Sequence, residues 1–136
     1  MLRAEFYAYD ASVRTAWLDA SRGFFNPTSL CLRVLGQDQR PHTLELAENA
    51  HTRGWQVATA LLPLKARRSG FGAYRAADYD ELADSPVEMG HVWSGSFKVR
   101  GVPHRFVVSG AGAWFDGERL LRDTQRIVET QFEFWH

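Results

Sequence analysis

Only one cysteine, Cys31, occurs among the 136 residues. No disulfide can therefore close within the chain, and the clustered Cys and His ligands of a structural zinc site are missing. Long apolar runs are missing too. None approaches the roughly 20 residues that span a bilayer, and Glu5 and Asp10 interrupt the N-terminal stretch where a signal peptide would need an unbroken apolar core. Neither charge sign is in excess, with 16 Lys and Arg against 16 Asp and Glu. Without a basic surplus, charge gives no support to a nucleic-acid partner, and the apolar pattern gives none to a membrane partner.

The familiar catalytic strings are equally lacking. There is no His-Glu-x-x-His, no Cys-x-x-Cys, no Gly-x-Ser-x-Gly and no phosphate-cradling glycine loop. His42, His51, His91, His104 and His136 are scattered, with no pair at helical i, i+4 spacing. The residues thus assemble no catalytic set and no metal site. Cys31 is expected as a packed strand residue, and His104 in a hydrogen-bonded structural role within a strand in preference to metal ligation.

What is present reads as β structure. The chain is 45% hydrophobic and 13% aromatic, a globular composition rich in strand formers. Period-two alternation predicts strands over 5–9, 12–18, 28–35, 42–46 and 55–61. A hairpin is predicted from Val92–Val99 and Val102–Val108, turning at Arg100-Gly101. Lys65, Arg67, Arg68 and Arg75 are expected in and beside an exposed basic loop over 65–72, either solvated or forming an anion patch.

Two helices are expected. Asp78 and Glu81 have capping-box spacing before a single turn over Tyr79–Ala83, which Ser85-Pro86 stops. Asp116 caps a longer amphipathic helix on which Leu120, Thr124, Ile127, Gln131 and Phe134 recur at helical spacing. It ends in the aromatic cluster Phe132 to His136, which a self-contained module would bury and a piece of a longer chain would expose. The expected architecture is mostly β: a sandwich-like or saddle-shaped antiparallel module of seven or eight strands, with one short helix and one long C-terminal helix. Residues 1–112 form its β-rich part and 113–136 its helix.

One segment is chemically dense. Asp78 to Gly90 carries Asp78, Asp80, Glu81, Asp84 and Glu88 beside a proline and a glycine. Such carboxylates could hold a cation or a substrate amine. Helix capping accounts for Asp78 and Glu81, and solvation for Asp80 and Asp84. Glu88 is left without a local role.

The strings Ser12-Val13-Arg14-Thr15-Ala16-Trp17-Leu18-Asp19, Arg22-Gly23-Phe24-Phe25-Asn26-Pro27-Thr28-Ser29-Leu30, Trp55-Gln56-Val57-Ala58-Thr59-Ala60-Leu61, Asp78 to Gly90 and Gly101-Val102-Pro103-His104 occur in that order. Together they resemble the pre-catalytic, N-terminal region of glycyl aminopeptidase-type zinc metallopeptidases, which often carry a C-terminal PDZ domain and are distant relatives of aminopeptidase N. The resemblance implies a non-catalytic module packed against a catalytic domain outside this chain, which would hold the zinc and act on peptide substrates. No cofactor belongs to the module itself. The resemblance also implies a role for Glu88, as the carboxylate that binds the substrate's free α-amine. A free-standing β-sandwich binding module is the alternative. The exposed C-terminal helix also offers a dimer contact. A soluble protein of bacterial cytoplasm or periplasm is expected, with the compartment open.

Overall fold

The computed structural model describes residues 1–135, which fall into two compact units, Met1–His91 and Val92–His136, without a description of His136. In the first unit, strands β1 (Ala16–Leu18), β2 (Arg22–Phe25), β7 (Val87–Gly90) and β4 (Gln56–Ala58) form one antiparallel sheet in that order. A second antiparallel sheet has the order β3 (His42–Leu46), β6 (Gly72–Ala76), β5 (Leu62–Ala66). Apolar residues of these strands and of the segments between them meet in two linked clusters. Ala16, Phe25, Trp55, Val57, Phe71 and Val87 form one, and Leu61, Tyr74, Ala76 and Leu82 the other. Leu44, Leu46 and Cys31 touch both, which ties the two sheets together.

The mostly β expectation holds, with nine strands among the described residues instead of seven or eight. Several boundaries differ. Residues 28–35 are not a strand. Asn26 accepts a hydrogen bond from the Thr28 N–H, and Pro27 sits where its fixed φ favours a helix start, so α1 (Pro27–Leu30) forms instead. Cys31 is accordingly packed at the end of a helix, not within a strand, and burial pushes its thiol pKa up. The expected basic loop is the end of β5, a turn and the start of β6. In β5 a bulge lies between Pro63 and Lys65, and the strand is the sheet's outer edge.

Helix α2 (Tyr79–Ala83) forms as its spacing predicts. Asp78 accepts from the Glu81 N–H at 2.8 Å, while the Glu81 carboxylate reaches back one residue further than a capping box requires, to the Ala77 N–H.

The second unit contains the predicted hairpin, β8 (Val92–Val99) and β9 (Val102–Ser109), and helix α3 (Gly117–Trp135). Arg100 and Gly101 both have positive φ, 49° and 83°, as a tight primed turn demands. Asp116 accepts from the Arg119 N–H at 2.9 Å and so caps α3. The helix starts close against the hairpin: a Cβ on Gly117 would lie 2.2 Å from the Trp93 ring, and one on Gly95 2.6 Å from Leu121. Its far end is open, with Phe134 74% and Trp135 73% exposed. No described helix is long and apolar enough to cross a membrane.

Candidate functional site: the outer face of the β2–β7 ladder

Glu88 lies on β7, with a paired strand on either side: Phe24 of β2 and Ala58 of β4 are its register partners. Its neighbour Val87 is fully buried in the first cluster and Met89 packs against the same cluster. Side chains alternate between the faces of a strand, so Glu88 is turned to the other face. Phe24 and Trp17 share that face through their register, and Tyr9 stacks on Trp17 with 4.3 Å between ring centroids.

Arg22 occupies the same face, diagonally across the ladder. Its Nε donates to one Glu88 oxygen at 3.2 Å and its Nη2 to the other at 3.3 Å, a forked pair bridging 66 positions of sequence. The Glu88 side chain is 21% exposed and that of Arg22 is 40%. The structure therefore gives Glu88 a partner distant in sequence.

Arg22 is itself held by the β1–β2 turn. Asp19 Oδ1 accepts from the Ser21 N–H at 2.7 Å, the Ser21 hydroxyl at 2.8 Å and the Arg22 N–H at 2.9 Å. Its other oxygen accepts from the Trp17 indole N–H at 2.9 Å. These donors, the Ser21 backbone foremost, hold the Asp19 carboxyl well below the usual carboxylate range. Trp17, Asp19 and Arg22 were not singled out as site residues. The only hint was the turn-forming run Asp19-Ala20-Ser21-Arg22.

The other acidic residues do not join Glu88. Asp78 and Glu81 cap α2, and Asp80 and Asp84 are exposed. Among the described residues, no three His, Cys, Asp or Glu side chains come together as a metal-binding group. His42 faces Tyr79, and His104 stacks on Phe97 in the hairpin.

The family model for the peptidase M61 N-terminal domain matches residues 1–91, the whole of the first unit. The chain belongs to the peptidase M61 family. A crystal structure of an aminopeptidase N family protein from Idiomarina loihiensis superimposes on this M61 chain with a TM-score of 0.88 at 39% identity. The match covers 93% of this chain and 22% of that protein, so the M61 chain spans less than a quarter of its solved relative. No curated protein matches it. The expected N-terminal region of an aminopeptidase of this type is thus what the chain resembles in both sequence and fold.

Proposed function

We propose that this M61 chain is the non-catalytic N-terminal portion of a zinc-dependent aminopeptidase, and that it places Glu88 where a substrate's free α-amine binds. The family and the relative support a peptidase parent. In this reading the metal and the bond-breaking step belong to a catalytic domain outside this chain, while no donor set among the described residues fits a zinc ion. The first unit supplies a rigid wall. The exposed aromatic end of α3 supports the reading that the helix leads toward the catalytic domain and packs against it.

The observation that carries the Glu88 reading is its placement. A carboxylate on a doubly paired strand, turned from the core and gripped by a forked guanidinium, is held in one orientation. A substrate ammonium approaching it meets a preoriented acceptor, and charge-assisted hydrogen bonds fix the peptide's end for attack. Arg22 also makes Glu88 part of the sheet's own ion pairing, which is the competing structural role.

The test is Glu88→Gln in the longer enzyme, assayed on an aminoacyl p-nitroanilide with a free amine. An amine anchor predicts a rise in KM or a fall in kcat, with the 136-residue chain destabilised by no more than about 1 kcal/mol. If kcat and KM both stay unchanged, Glu88 is only a sheet ion pair.

A further inference from the structure

A trough crosses the outer face of the second sheet, away from Glu88. It has a volume of about 390 Å³ and is lined by residues 45–48, 65–67 and 71–73. Register places Glu45 of β3 and Lys65 of β5 on either side of Ala73 of β6. All three share the face opposite Tyr74, which is buried in the core. Two strand spacings separate the walls, about 9.6 Å between Cα atoms. On β6 the lining residues Gly72 and Ala73 carry little or no side chain. A Cβ on Gly72 would come within 2.1 Å of the Lys65 carbonyl oxygen, and its φ of +138° also favours glycine.

The walls carry opposite charge. Glu45 and Glu48 line one side, and Lys65 and Arg67 the other. At the end of the trough Arg67 bonds Glu48 at 2.6 Å. Among the described residues, Glu45 and Lys65 make no ion pair, with each other or with any other group. The β5 bulge puts Lys65 there. Were the register unbroken after Pro63, Leu64 would stand opposite Ala73 and Lys65 opposite Gly72, and the wall beside Ala73 would be apolar. Bulges commonly re-aim a side chain in this way.

We propose that this trough binds a short zwitterionic peptide, its ammonium on Glu45 and its carboxylate on Lys65, over the Ala73 floor. An extended dipeptide is about 7 Å long, which fits between walls about 9.6 Å apart at the backbone. Both contacts are exposed and screened, so the affinity is on the order of millimolar. Requiring both charges at once selects a zwitterion over a simple anion or cation. The proposal does not depend on the role of Glu88.

Titration of the isotope-labelled 136-residue chain with glycylglycine, followed by amide NMR, tests it. Saturable shifts are expected at Glu45, Ala73 and Lys65. N-acetylglycylglycine and glycylglycinamide, each lacking one charge, should bind about fivefold more weakly, the scale of one exposed ion pair. Glu45→Gln should erase the preference over the acetylated peptide, and Lys65→Met the preference over the amide. Both positions are exposed, and unchanged spectra elsewhere verify folding. Equal binding of the capped peptides, shifts that ignore both substitutions, or no saturable shift at concentrations on the order of 10 mM would each overturn the site.

Discussion

Val87 and Glu88 are adjacent on β7 but serve opposite faces, so substituting each in turn tests the register of the whole sheet. Val87 is 0% exposed and packed among Ala16, Phe25, Trp55, Val57 and Phe71. Val87→Ala removes two methyl-sized groups, about 1.6 kcal/mol of transfer free energy. The cavity left behind raises the cost to about 2–3 kcal/mol. In a unit of this size that lowers Tm by about 10–15 °C. Glu88→Gln weakens one partly exposed ion pair, which costs about 0–1 kcal/mol. Hydrogen exchange on peptides covering β2, β7 and β4 reads the first unit without interference from α3. A loss of about 2 kcal/mol appears there as roughly a 30-fold fall in protection, against at most about fivefold for Glu88→Gln. If Glu88→Gln cost as much as Val87→Ala, the two faces would be misassigned and the case for Glu88 as an accessible carboxylate would fall with them.

Three further outcomes follow from the geometry. Asp19 is more acidic folded than unfolded, so it stabilises the native state above the ordinary carboxylate pKa of 3.8 and loses that contribution as pH falls below it. Urea midpoints should therefore separate wild type from Asp19→Ala at pH 7 and converge as pH drops below that value; a gap that widens on acidification refutes it. Gly117→Ala would ordinarily favour a helix, but its Cβ would meet the Trp93 ring at 2.2 Å, so melting followed at 222 nm should show destabilisation of about 1–3 kcal/mol. Gly112→Ala, with nothing within 4 Å of its Cβ, is the control and should be silent. Burial and the raised pKa of Cys31 predict slow alkylation by iodoacetamide at pH 8 that accelerates sharply in urea; rapid labelling of the native chain would contradict the packing described.

The hairpin, α2 and α3 were legible because each rests on local chemistry: strict alternation around Arg100-Gly101, the Asp78 cap, and the Asp116 cap with its apolar period. The run over 28–35 misled for the opposite reason. Leu30, Leu32 and Val34 alternate as a strand would, yet Leu32 and Val34 are exposed, and Asn26-Pro27 had already committed the backbone to a helical turn. β7 went unseen because Pro86 and Gly90 left too short a window between them. Glu88 could be chosen from the sequence, but its partner could not. Arg22 and Glu88 are 66 residues apart and meet only because β2 pairs with β7. Lys65 is similar: nothing local announces that a bulge will turn it across a strand toward Glu45.

The same edge strand bears on how the chain survives its own synthesis. β5 displays Leu62 and Leu64 to solvent at the rim of a sheet, the arrangement that invites a neighbouring molecule to add another strand and seed a fibril. Pro63 offers no amide hydrogen, the bulge breaks the repeat, and Lys65 charges the rim, so the edge is a poor template. Pro63→Val would be a modest change to the folded molecule, but it would remove a gatekeeper and bring misassembly within reach while the chain is still emerging.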